Sequence, residues 1–140
     1  MPAMKRRVAI AAIIALACSG AALAQAPSVA IKGYDPVAYF TEARAVKGNP
    51  TISYDFDENR YYFSSTRHRD LFAADPERYA PQFAGLCAAG LADGRKVEPD
   101  PTAFVVQNGK LYLFEASRGV SRVKADPTLL DKAHQNHKRK

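Results

Sequence analysis

The chain has no tryptophan, only two cysteines, and no apolar run longer than the ten residues 8–17. A bilayer-spanning helix needs about 20 such residues, so no stable membrane span is expected in the processed chain. Several catalytic signatures are also missing: Gly-x-Ser-x-Gly, His-Glu-x-x-His, the phosphate loop, Gly-x-Gly-x-x-Gly and Cys-x-x-Cys. The common hydrolase, metallopeptidase, nucleotide-binding and dithiol redox chemistries therefore have no foothold here. Phe and Tyr alternate along strand-like segments rather than interleaving with Lys and Arg, which argues against a nucleic-acid surface.

The N-terminus carries a processing signal. Lys5, Arg6 and Arg7 precede the apolar run, and small residues then lead to Ala22-Leu23-Ala24. A charged region, an apolar region and an A-x-A site make a secretory signal peptide over residues 1–24, cleaved after Ala24, with a periplasmic or secreted product. Cys18 offers the alternative of lipid anchoring, although Ala15 stands where such signals usually carry Leu. After cleavage at Ala24, Cys87 is the single cysteine, so an intramolecular disulfide is impossible even in an oxidising compartment.

Net charge is +6 over the whole chain. The charge is unevenly distributed: residues 118–140 hold seven basic and two acidic side chains, whereas residues 25–117 hold ten and twelve. The body is slightly acidic, and residues 117–140 read as a basic, solvated C-terminal extension.

Between these ends the pattern is that of one small α+β domain, two antiparallel β-hairpins with short packed helices. Gly33 and Asp35-Pro36 form a turn feeding a strand over Val37-Ala38-Tyr39-Phe40. Ile52, Tyr54 and Phe56 alternate with polar residues, Asp57-Glu58-Asn59 turns, and Tyr61-Tyr62-Phe63 returns. Ser64 or Ser65 then caps a helix over residues 66–74 whose Leu71 and Phe72 face the core, and Asp75-Pro76-Glu77 starts another. Phe83, Cys87 and Leu91, spaced i, i+4 and i+8, predict one helix face, with Gly94 as its stop. Asn108-Gly109 between two apolar runs predicts a type I′ hairpin. Asp126-Pro127 begins a last helix that frays into the basic end, and no internal repeat is evident.

Three blocks together resemble the YHS domain family, in its branch of small exported bacterial proteins. They are Gly33-Tyr34-Asp35-Pro36-Val37-Ala38-Tyr39-Phe40, then Tyr62-Phe63-Ser64-Ser65, then Asp75-Pro76-Glu77-Arg78-Tyr79 through Phe83-Ala84-Gly85-Leu86-Cys87-Ala88, with Asp100-Pro101 before the second hairpin. The likeness spans about residues 31–116. It implies a non-enzymatic module of the cell envelope that binds a small ligand or a metal ion such as copper or zinc, or serves an envelope protein partner. Related modules in heavy-metal transport proteins carry three thiols, and the matching positions here are Ala38, Ser64 and His68.

That replacement weakens any metal site. Ala38 cannot ligate, and a neutral hydroxyl at Ser64 is a poor donor for soft ions. His68 and Cys87 remain as candidate metal donors. Cys87 also supports the alternative of a thiol-dependent enzyme or redox protein, since a thiolate attacks where a cation or helix N-terminus favours it. His134 and His137, at i and i+3, could share a helix face, but Lys138, Arg139 and Lys140 beside them oppose a cation. The seven tyrosines either rim a small pocket or close a small core.

Overall fold

The computed structural model describes residues 25–139; the segment read as a signal peptide, with Cys18 in it, lies outside them. The chain folds as α+β. A three-stranded sheet holds β1 (Ser28–Val29), β2 (Asn49–Phe56) and β3 (Asn59–Phe63), and a two-stranded sheet holds β4 (Asp100–Gln107) and β5 (Lys110–Phe114). Both expected hairpins are present and antiparallel. The expected pair of hairpins omits β1, which joins β3 in parallel. The helices are α1 (Ala38–Thr41), α2 (Thr66–Ala74), α3 (Pro76–Tyr79), α4 (Ala88–Ala92), α5 (Ser117–Ala125) and α6 (Thr128–Lys138).

Turn and cap chemistry explains much of this order. Asn108 and Gly109 both take positive φ, as a type I′ turn requires, and Asp57 and Glu58 do the same between β2 and β3. The Ser65 hydroxyl caps α2 by accepting from the His68 amide, and the Asp75 carboxylate caps α3 by accepting from the Arg78 amide. Gly94, at φ +78°, closes the turn after α4.

Three expectations are corrected. Residues 38–41 are helical rather than extended, because the Asp35 carboxylate accepts from the Val37 and Ala38 amides at 2.8 and 3.3 Å and turns the chain there. The helix expected through Phe83, Cys87 and Leu91 is broken: Phe83, Ala84 and Gly85 all lie at positive φ within a 3-10 segment, and Cys87 is the residue just before α4. Residues 117–138 are not a solvated end. They form α5 and α6, whose Val123, Leu130 and Ala133 are buried in the same core as Phe114 and Leu91.

The fourth correction concerns the repeat. The strand pair β2–β3 and helix α2 recur as β4–β5 and α5 with equal lengths, each 51 residues later: 49 becomes 100, 59 becomes 110, and 66 becomes 117. The register repeats too. Tyr54 pairs with Tyr61 as Val105 pairs with Tyr112, and each hairpin has its irregularity at the same place, between Asn49 and Ser53 and between Asp100 and Phe104. Asn49 and Asp100 each accept from the amide and hydroxyl of the threonine two residues on, Thr51 and Thr102. Upstream, the 3-10 segments Ala30–Gly33 and Gln82–Gly85 share a run of three left-handed residues ending in glycine. The amides of Asp35 and Cys87 donate to the carbonyls of Val46 and Val97 at 2.8 and 2.9 Å.

The chain is thus two copies of one unit. Each has its own core, one around Val37, Phe63 and Phe72 and the other around Ala89, Phe114 and Val123. Tyr39, Leu111 and Leu113 form a third cluster between them, with Phe104 edge-on to Tyr39. Packing the units against each other gives a chain of this size the burial that neither hairpin has alone.

Candidate functional site

Asp35 is the buried charged residue of the first unit, with 0% of its surface exposed. Its two oxygens accept five hydrogen bonds. Oδ1 takes the Val37 and Ala38 amides; Oδ2 takes the Ser64 amide at 2.9 Å, the Ser64 hydroxyl at 2.7 Å and His68 Nδ1 at 2.6 Å. A buried carboxylate is tolerated when its lone pairs are filled in this way. One side chain therefore ties the start of α1 to the end of β3 and the first turn of α2.

The spacing of Ser64 and His68 makes this local arrangement. The chain leaves β3 at Phe63, Ser65 caps α2, and His68 follows in the first turn, so both Ser64 and the imidazole reach back to the same carboxylate oxygen. Oδ2 already accepts from the Ser64 amide and hydroxyl, so we assign it as the acceptor toward His68 as well, with Nδ1 donating and Nε2 turned to the Thr41 hydroxyl. The His68 side chain is 13% exposed. Its Nε2 lies 3.2 Å from the Thr41 hydroxyl, which is also within reach of the Val37 carbonyl at 3.3 Å.

Chemically, this is a histidine oriented by a carboxylate, with its other ring nitrogen met by the Thr41 hydroxyl. Metal-binding histidines are oriented in this way. Asp35 has no lone pair to spare for a ligand, so it positions and does not bind. Among the described residues, no group of three or more His, Cys, Asp or Glu side chains is placed to hold a metal ion.

The sequence-predicted donors lie in opposite units. His68 belongs to the first and Cys87 to the second, and they share no hydrogen-bond partner. Cys87 is 2% exposed, and its Sγ accepts from the Gly90 and Glu115 amides at 3.3 and 3.2 Å. A pocket beside it is walled by Gly119 and rimmed by Arg95, Arg118 and Arg122, with Arg122 held bidentately by Asp93. Ala38 is buried, as a first-turn residue whose amide Asp35 holds.

The two tail histidines are core-facing rather than incidental. His134 Nε2 lies 3.0 Å from the Tyr112 hydroxyl, and both His134 and His137 pack against Phe83. Burial, followed by Lys110 and Lys138, holds the His134 imidazole below the ordinary histidine range. The tyrosines serve mainly as core: Tyr39, Tyr61, Tyr79 and Tyr112 are buried.

The sequence points to a site between the Asp35-Pro36 turn, the Ser64–His68 turn and Cys87, but the Asp35 carboxylate itself reads as one more exposed turn group; the structure joins the two turns through it and leaves Cys87 out. The signal lay in Ser64 and His68 at i and i+4, two polar groups converging on one partner. The chain matches no family model, and no curated protein and no solved structure shows significant similarity to it.

Proposed function

We propose that the protein is an exported YHS-type module of the cell envelope, without enzymatic activity, that binds a metal ion or small ligand weakly through Nε2 of His68. The observation that carries this reading is the 2.6 Å contact between His68 Nδ1 and buried Asp35, which orients the ring and leaves Nε2 for a ligand that displaces the Thr41 hydroxyl. Weakness follows from the donor count, because structural zinc sites use four nitrogen or sulfur ligands and catalytic sites three. The resemblance of residues 31–116 to the YHS family supports the module, and the leader over residues 1–24 supports its address.

A direct test is elemental analysis of the protein purified from its own periplasm, followed by Cu(I) and Zn(II) titration of the intact form, His68→Ala and Cys87→Ala. Weak binding lost in the first variant and kept in the second is the expected result. Identical titrations in all three forms would remove His68 from the function.

A second reading has one observation in its favour. Two backbone amides donate to Cys87 Sγ, and Arg122 lines the same pocket, contacts that a thiol-dependent enzyme or redox protein would use. Near-complete burial opposes it. Alkylation rate against pH separates the two: a Cys87 inert until denaturation excludes the thiol reading, and a thiol reactive in the folded protein well below pH 8 favours it.

A further inference from the structure

The repeat supplies an internal template for a site that neither His68 nor Cys87 touches. In the second unit, the imidazole of His134 lies over Phe83, with ring centroids 4.7 Å apart, and its Nε2 meets the Tyr112 hydroxyl at 3.0 Å. The matching residues of the first unit are Ile31 for Phe83 and Tyr61 for Tyr112, in the paired 3-10 segments and the paired strands. No imidazole covers them. In the second unit His134 comes from α6, which follows Asp126-Pro127 and runs to Lys138; in the first, α3 follows Asp75-Pro76 and ends at Tyr79. Pro81, with no amide to donate, forbids the continuation.

Beside Ile31 and Tyr61 the first unit has a cleft of about 270 Å³. Ile31 and Tyr61 line it, with Pro81, Leu86, Pro99 and Pro101 adding apolar walls from the second unit. Lys32 and Glu98 on its wall offset each other in charge. Tyr61 is only 5% exposed, and its hydroxyl has no hydrogen-bond partner among the described residues. The oxygen is not sealed from solvent, so it stands in the cleft wall as an open donor. Burial pushes its pKa up to about 12, so it remains a proton donor at neutral pH. The cleft is also bordered by both left-handed runs, through Ile31, Lys32, Ala84 and Gly85, and non-glycine residues held in that conformation are often found where a ligand is clamped.

We propose that this cleft between the two units binds a small, uncharged, planar nitrogen heterocycle, which takes the place that the His134 ring fills in the second unit and accepts a hydrogen bond from Tyr61. A ring nitrogen accepts a hydrogen bond from the phenol hydroxyl, the ring packs against Ile31, and the proline and leucine walls cover the rest. The volume suits a one- or two-ring compound.

The test is titration of the ¹⁵N-labelled protein with imidazole, benzimidazole and indene, in the presence of a chelator. The expected result is saturable shifts at the amides of Ile31, Lys32, Ala84 and Gly85 with the two heterocycles, and weaker binding of indene, which has the bicyclic shape without an acceptor nitrogen. Tyr61→Phe removes a hydroxyl that bonds to nothing in the protein, so it should fold normally and lower the affinity about five-fold, the size of one neutral hydrogen bond. Three outcomes would overturn the proposal: no saturable shift, equal affinity of Tyr61→Phe and wild type, or equal affinity for indene and benzimidazole. Cleft shifts produced by removing residues 1–24, with no added compound, would instead assign the cleft to the chain's own leader and overturn it too.

Discussion

Asp35 and Cys87 occupy the same seat in the two units of the chain. The Asp35 carboxylate accepts the amides of Ala38, three residues on, and of Ser64, the first residue after β3; the Cys87 sulfur accepts the amides of Gly90, three residues on, and of Glu115, the first residue after β5. The seat is therefore a pair of inward amides that wants an acceptor, whichever residue supplies it. The units differ in what lies across from the seat. The first has His68, whereas the second has Gly119, where an added Cβ would meet Phe114 Cδ1 at 3.0 Å. No side chain reaches Cys87 from that position, and the space beside Cys87 and Gly119 is an open pocket.

Removing the carboxylate should be far more damaging than removing the ring. Asp35→Ala strands buried amides and the Ser64 hydroxyl, and is expected to cost about 3–5 kcal/mol. His68→Ala loses one charge-assisted bond near the surface, about 1–3 kcal/mol. Urea midpoints at a constant slope would measure both, and equal losses would contradict the positioning role given to Asp35.

Stability should depend on His134 in weakly acidic solution. Its folded pKa lies below the ordinary value of 6.5, through burial first and then Lys110 and Lys138, so the folded state binds its proton less readily than the unfolded chain. The contribution is complete above pH 6.5 and is lost as pH falls toward the folded value. Thermal midpoints across pH 7.5 to 5 should fall in the wild type, and the part due to His134 should be absent in His134→Gln. A parallel decline in both proteins would assign the effect elsewhere.

Gly48 tests the packing of the first unit. A Cβ built there lies 2.4 Å from the Tyr62 carbonyl carbon, a backbone atom that cannot swing away. Gly48→Ala should therefore cost about 3 kcal/mol. Gly94→Ala meets nothing within 4 Å and is strained only by φ +78°, so a smaller loss is expected. Denaturant unfolding of the two variants ranks them.

Local chemistry was legible in the sequence where one or two residues decide it. Asn108-Gly109 names its own turn, Asp75-Pro76 its own helix start, and the alternation of Ile52, Tyr54 and Phe56 its strand. What escaped is non-local or has no periodic trace. Phe83, Cys87 and Leu91 keep helical spacing, yet three left-handed residues divide them, and a left-handed run of Phe-Ala-Gly has no sequence signature. Asp35 looks like any Asp-Pro turn until β3 and α2 are brought against it. The two units share Pro50-Thr51 with Pro101-Thr102, Tyr61 with Tyr112, Phe63 with Phe114, and Asp75-Pro76 with Asp126-Pro127, but most other positions differ. The second unit's core uses Val123 where the first uses Phe72, so apolar pattern and backbone register persist while identity fades.

The central claim is that Asp35 holds the His68 proton on Nδ1 and leaves Nε2, beside the Thr41 hydroxyl, as the ring's ligand atom. Long-range ¹H–¹⁵N correlation of the His68 ring in the metal-free protein, repeated during Zn(II) titration, reads this directly. The account predicts a ring carrying a proton on Nδ1, with zinc shifting the Nε2 resonance in a weak, reversible, one-to-one manner. A ring protonated only at Nε2, or a zinc titration that saturates while both His68 nitrogens stay unchanged, would contradict it.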